Sequence, residues 1–510
     1  MLGFVAPFVV APGVAEHQLG RVLGVLESDF GWLYIWFVAG LFVLLIWLAF
    51  SRYGHIRLGR PGDRPEFSTT AWLAMIFTAA IGGGIMYWGI IEWVHYYVDP
   101  PYQLPARGVE AAEWSATYPL FHWGFTAWAV FCVPSLALAY SYHVRRARTL
   151  RLSEACRGVL GDRVESWPGR LIDVVFILGM LGAAGTSLGL AVPTISAGLA
   201  RMLGLESGVL LQVAVIALWT LLFGASVFLG LQHGLRRLAN ANLYLAGLLG
   251  VLVLVLGPTV FIIDTFTNSA GTLLQNFVHM SFYTDPAGDS GFEETWTVFY
   301  WGWWISYGPF VGLFCAKISK GRTVRQMILG MCGFGSLGCW LSFTILGNSG
   351  LAYELQGRAP IADTLESQDA VAAIFVTLEA FPLSGVITAL FLTLLLIFLA
   401  TTLDSSAYIM GAVTSRDLPN EVEPSRFNRV LWATVLATVA IAVLQAGGIE
   451  ALQSLSVITA FPLIAILTLV AISLVRWLRQ HDQQENTTDL GGTQDSPTHS
   501  GAAGARGVTE

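Results

Sequence analysis

The sequence predicts an all-α polytopic membrane protein, and three observations carry that prediction. Of its 510 residues 55% are hydrophobic and only 12% charged, about half the charge of an ordinary soluble domain. Apolar windows near the roughly 20 residues needed to cross a bilayer recur along the chain. They fall at about 31–51, 70–97, 118–144, 170–200, 207–230, 240–265, 293–317, 326–352, 382–415, 426–446 and 452–477. Finally, basic residues fall in alternate connections. Arg52, Arg57, Arg60 and Arg64, then Arg145 to Arg170, Arg236 and Arg237, Lys317 to Arg325, Arg416 to Arg429, and Arg476 and Arg479 lie on one side, against only Arg21, Arg107, Arg201 and Arg358 on the other. The positive-inside rule puts the first set and the C-terminus in the cytoplasm.

Residues 1–30 read as a truncated first helix and an outer loop, because the apolar run 2–12 is short and meets Ala11-Pro12-Gly13; the alternative is a start further upstream. Residues 31–69 form a second peripheral helix with its cytoplasmic loop. The 70–97 span contains Gly82, Gly83 and Gly84. Three consecutive glycines admit irregular backbone, tolerated in a membrane only where it lines a cavity or is buried in protein; close helix packing is the rival reading. Glu92 and His95 follow in the same span. A charge inside a membrane is a functional candidate, unless Glu92 merely meets solvent at the outer end.

The 118–144 span opens on Phe121, His122 and Trp123 and continues to Trp128. The connection 266–292 lacks basic residues and reads as an outer amphipathic segment with a turn. The stretch 296–314 is densest in rings, with four Trp and two Tyr in twelve residues. Trp296, Tyr300, Trp303 and Tyr307 share one helical stripe, with Trp304 beside it. Gly302, Gly308, Pro309 and Gly312 weaken the helix there. Ring faces beside broken helix suit an organic cation, since a quaternary ammonium neither gives nor takes hydrogen bonds. Interfacial aromatic belts are the competing reading. The 382–415 span carries Thr401 and Thr402, hydroxyls suited to sodium or to bonding the preceding turn. The polar segment 478–510 is expected to be a disordered cytoplasmic tail.

Two glycine-interrupted spans at matching places, each heading five spans (70–265 and 293–477), point to two halves of inverted topology around a central site. Clustered His, Cys or acidic ligands are lacking: the nine His are scattered and the five Cys form no CxxC. Enzymatic chemistry and a transition-metal site are therefore not expected, nor is a nucleic-acid partner at a net charge of −7.

Trp296 to Trp304, Ala316 to Thr323, Phe121 to Trp123 and Tyr87 to Glu92 resemble the betaine/choline/carnitine transporter family, over about residues 25–477. The resemblance implies a leucine-transporter-like 5+5 inverted repeat with extra N-terminal helices, about 12 transmembrane helices in all. It also implies a homotrimer in the cell membrane. It implies secondary transport of a quaternary ammonium compound such as glycine betaine, choline or carnitine. Trp303, Trp304 and Tyr307 match the family's trimethylammonium box. Trp123, Trp128 and Phe131 match its other wall, Phe131 standing where Tyr is usual. Trp296 matches an outer substrate contact, and His95 stands at a box Tyr of carnitine exchangers. A substrate carboxylate is expected at the backbone N–H groups of Gly82, Gly83 and Gly84. Sodium, the only coupling ion expected, is assigned to Thr401 and Thr402 with carbonyls near Thr78 and Ile81. The alternative is a sodium-independent carnitine/butyrobetaine antiporter. That antiporter replaces sodium with Arg and Met side chains, where this chain has Asn242 and Val311. The second sodium site of betaine carriers is not expected, since Met180 and Ala184 stand at its two Thr positions.

Overall fold

The computed structural model describes residues 12–492 except 61, 207, 230, 289 and 416–422. Among these residues the regular structure is helical, apart from one isolated bridge between Arg57 and Thr323. The principal helices in order are α1 Pro12–Phe50, α2 Thr69–Ile81, α3 Gly84–Val98, α4 Val109–His122, α5 Phe125–Ala139, α6 Trp167–Leu203 and α7 Val209–Leu229. They continue with α8 Leu231–Leu256, α9 Thr259–Phe282, α10 Phe299–Ile318, α11 Gly335–Leu355, α12 Ala370–Glu379, α13 Ser384–Thr414 and α14 Arg426–Gly492. The fold class is the one the sequence predicts.

Several boundaries differ from the expectation. Residues 12–30 are not an outer loop but the first turns of α1, and the run 2–12 lies almost wholly outside the described residues. The last two expected spans fall within α14, which carries helix on to Gly492, so residues 478–492 are not the disordered segment expected; 493–510 lie outside the described residues. Six described helices are long and apolar enough to cross a membrane, or up to eight if each of two bent pairs is one span. This is fewer than the eleven expected windows. Helix α10 is one reason, because Trp and Tyr rings with polar edges replace aliphatic side chains in it.

The bent pairs mark where the chain changes direction. Helices α2 and α3 meet at 64°, and α8 and α9 at 108°. The second bend sits at Gly257 and Pro258, where proline supplies no N–H to continue α8. Helix α9 thus occupies much of the segment expected to lie outside, burying Ile262, Ser269, Leu273 and Met280 on one face.

The first bend follows from Gly82. Its φ of 56° and ψ of −155° lie in a region that essentially only glycine occupies. The glycines of α10 behave otherwise. Helix α10 runs unbroken through Gly302, Gly308, Pro309 and Gly312, correcting the expectation that they interrupt it. They admit neighbours instead: a Cβ on Gly302 would lie 2.9 Å from the backbone of Val457, on Gly308 3.2 Å from the carbonyl oxygen of Val130, and on Gly312 3.1 Å from Pro134. Bare backbone at these turns lets α10 lie close against α5 and α14.

Candidate functional site

Three local devices bring the aromatic residues together. The first is the break at Gly82, which ends α2 at Ile81 and restarts the chain as α3 at Gly84. The second is a break between α4 and α5, where Trp123 caps α4 and Gly124 adopts an extended ψ of −147°. The third is a π-helical turn, Glu293–Val298, directly before α10. Trp296 lies within this turn, and its ring and that of Tyr300 both meet Trp88, at 5.9 Å and 6.0 Å.

At the centre, Trp303 and Trp304 stack with centroids 4.9 Å apart and planes within 11°. Trp123 stands edge-on to both, at 6.1 Å and 4.7 Å. Phe131 meets Trp304 at 5.6 Å and Tyr307 at 6.2 Å. Gly84 closes this group: a Cβ there would lie 2.9 Å from the Trp303 ring and 3.6 Å from that of Trp123. The rings are oriented by their polar atoms. Trp304 Nε1 donates to the carbonyl of His122 at 3.0 Å, Trp303 Nε1 to that of Ala183 at 3.4 Å, and Tyr307 Oη to that of Ala79 at 3.2 Å. The last bond ties the cage to the broken end of α2.

The remaining ring candidates lie elsewhere. Trp128 stacks on Phe77 at 6.2 Å, lies over Gly335, and reaches the central group only through Phe131. His95 and Trp296 form a second group, 5.1 Å apart and each 5.9 Å from Trp88, whose ring lies 6.0 Å from Tyr300. Gly83 faces Leu395 and Ala191, and Gly82 faces Thr402.

Sequence reasoning passed over two contributors. Phe343 on α11 stacks at a tilt against Trp123 at 5.1 Å, and nothing in its apolar neighbourhood marks it. Tyr300 lies within 5.8 Å of Trp123 and Trp304, and was read only as one of the stripe. Glu92 is fully buried, not solvated at an outer end. Its carboxylate accepts hydrogen bonds from Tyr300 Oη at 2.5 Å, Trp123 Nε1 at 2.8 Å and Tyr96 Oη at 2.8 Å. His122 lies beside it, with Nδ1 2.9 Å from Tyr96 Oη and Nε2 3.1 Å from Thr297 Oγ1. With Tyr96 donating to Glu92, the consistent arrangement has His122 donating from Nδ1 to Tyr96 and accepting from Thr297 at Nε2.

The hydroxyl group expected to serve an ion lies at the first bend. Thr402 Oγ1 is 2.7 Å from where a Cβ of Gly82 would be. Thr401 and Thr402 both donate to the carbonyl of Phe398, at 2.8 Å and 2.9 Å, so towards other groups their oxygens act as acceptors. Thr78 hydrogen-bonds back to Ala74 at 2.9 Å, and Ile81 is the last residue of α2, where helix carbonyls lack intrahelical partners. Asn242 brings its Nδ2 to 3.5 Å from Thr401 Oγ1, while its buried Oδ1 has no hydrogen-bond partner among the described residues. Hydroxyl and carbonyl oxygens are the ligand types that suit a hard cation.

Fold and site together define a polytopic membrane protein with a buried aromatic centre beside a broken helix. Comparison with known proteins gives the class a family. The family model described as BCCT, betaine/carnitine/choline family transporter, matches residues 1–483, and the chain belongs to that family of secondary transporters. The carnitine transporter of Acinetobacter baumannii is 36% identical over 438 residues, covering 86% of this chain and 78% of that protein. The glycine betaine transporter OpuD of Bacillus subtilis is 33% identical over 479 residues, covering 93% and 92%. An Escherichia coli K12 protein described as an uncharacterized transporter, YeaV, is 36% identical over 438 residues, covering 86% and 91%.

Proposed function

We propose that this protein imports a trimethylammonium compound, such as glycine betaine, choline or carnitine, by sodium symport with alternating access. The observation that carries this reading is the stacked Trp303–Trp304 pair with Trp123 edge-on and Gly84 beneath. Each ring face offers a desolvated cation about 0.5–2 kcal/mol, and the bare Gly84 keeps backbone close to the headgroup. Helix α3 begins at Gly84 with no side-chain cap. Its first N–H groups suit the carboxylate of a zwitterion.

Sodium at Thr401 and Thr402, with carbonyls near Thr78 and Ile81, would tie α13 to the α2 side of the Gly82 bend. An ion that binds one arrangement of that bend more tightly shifts the population towards it. The same bend carries Gly84 against the cage, which supplies the physical link between ion and substrate. On this reading the protein sits in the cell membrane as a homotrimer, as the family resemblance implies, with a cytoplasmic C-terminus, for which the distribution of Lys and Arg is the support.

The test is uptake of radiolabelled glycine betaine, choline and carnitine into proteoliposomes, with and without an inward sodium gradient. Concentrative uptake that requires sodium supports symport. Uptake indifferent to sodium but dependent on internal substrate identifies an antiporter instead and overturns the ion assignment.

A further inference from the structure

We infer that Glu92 is the countercharge of the aromatic cage: it fixes Trp123 and Tyr300 and makes the site select a positively charged headgroup. This rests on the cage reading above and adds to it a residue that meets the rings only at their polar edges, through the Trp123 N–H and the Tyr300 hydroxyl. Glu92 is fully buried on α3, in a helix pair apolar enough to cross the membrane. Buried carboxylates in that setting are paired or used. Among the described residues the ion-pair partner within reach is His122, with Nδ1 at 3.6 Å, and no Lys or Arg approaches. His122 already has Tyr96 and Thr297 for its two ring nitrogens. Glu92 is thus held by three neutral donors, and hydrogen bonds from neutral donors orient a negative charge without cancelling it.

One of those donors is the cage wall itself. Trp123 gives its N–H to Glu92 and turns its ring towards Trp303 and Trp304. A carboxylate accepting from the indole N–H polarises electron density into the ring, which strengthens the ring's attraction for a cation. Tyr300 does the same from the opposite helix: its hydroxyl bonds Glu92 and its ring lies 5.8 Å from Trp304. A cation in the cage is therefore one ring's width from an uncompensated negative charge, whereas a neutral molecule of the same shape gains nothing from it.

Glu92→Gln separates charge from geometry. A carboxamide oxygen in the place of Oε2, which receives both Trp123 and Tyr300, keeps both bonds, while the proton chain through Tyr96, His122 and Thr297 reverses as a unit: the amide donates to Tyr96, Tyr96 to His122 Nδ1, and His122 Nε2 to Thr297. The experiment is calorimetric titration of the purified protein with choline and with 3,3-dimethylbutan-1-ol, the neutral carbon isostere of choline. In the wild-type protein choline should bind much more tightly than the alcohol; if it does not, the cage reading itself fails. In Glu92→Gln choline should weaken by about tenfold, the loss expected when a charged acceptor or countercharge becomes neutral, while the alcohol is unchanged. Equal weakening of both ligands, or an unchanged preference for choline, would overturn the inference while leaving the cage intact. Glu92→Asp guards against misfolding of the first variant. It keeps the charge on a shorter arm and should retain the preference for choline even where both affinities fall; loss of that preference would likewise overturn the inference.

Discussion

Replacing Trp303 by Leu tests the cage most directly. The ring stacks on Trp304 at 4.9 Å and 11°, receives the edge of Trp123 at 6.1 Å, and covers Gly84. Leucine keeps a buried apolar side chain but offers no π face. The lost cation contact is worth about 0.5–2 kcal/mol. Loss of the Trp304 and Trp123 partners lets the other walls relax, at about 0.5–1.5 kcal/mol per aromatic pair. Taking about 2 kcal/mol as felt by the substrate, and about 1.4 kcal/mol per tenfold, the half-saturating substrate concentration should rise roughly thirtyfold. Trp303→Phe, which keeps a smaller ring, should fall in between. The assay is initial uptake into proteoliposomes at matched protein content, with size-exclusion profiles confirming intact protein. Wild-type uptake in both Trp303→Leu and Trp304→Leu would refute the cage.

Three further outcomes follow from the same geometry. Gly82→Ala forces a side chain into a conformation costing about 1–3 kcal/mol and into contact with Thr402; thermal unfolding in detergent should occur at lower temperature and sodium-driven uptake should fall, and a variant equal to wild type in both would remove the bend from the mechanism. Thr402→Val keeps the volume and removes an oxygen, so the sodium concentration for half-maximal uptake should rise several-fold while the substrate's half-saturation at saturating sodium holds; an unchanged sodium curve would place the ion elsewhere. Trp128→Leu leaves the central stack whole and opens a gap against Phe77 and Gly335; the loss should appear as about 2–4 kcal/mol of stability with substrate half-saturation altered less than threefold, and a Trp303-like uptake defect would return Trp128 to the cage wall.

Glycine was the residue type whose role local sequence described least reliably. The run Gly82 to Gly84 and the series Gly302, Gly308 and Gly312 both read as places where helix weakens. Only the first bends the chain. A glycine states that no side chain stands there; whether the space is used for a turn or for a neighbouring helix depends on what packs against it. The break at Trp123 and Gly124 had the opposite fate, hidden within an apolar window that carries no glycine run.

The sequence by itself determined the class of this protein: helices in a membrane, since long uncharged apolar windows admit few other solutions, and an aromatic stretch whose motif names a family. Helical spacing and ring type made Trp303, Trp304 and Tyr307 candidates, the aromatic opening of the 118–144 span added Trp123, and Phe131 came in only with the family resemblance. Tertiary structure decided which rings meet. It set Trp128 behind Phe131 and brought Trp296 against His95. It also joined Glu92 to Trp123 and Tyr300, 31 and 208 positions away in the chain. The physical reason is that a hydrogen bond or a ring contact reaches only a few ångströms, and which residues come that close depends on where three separate helices bend.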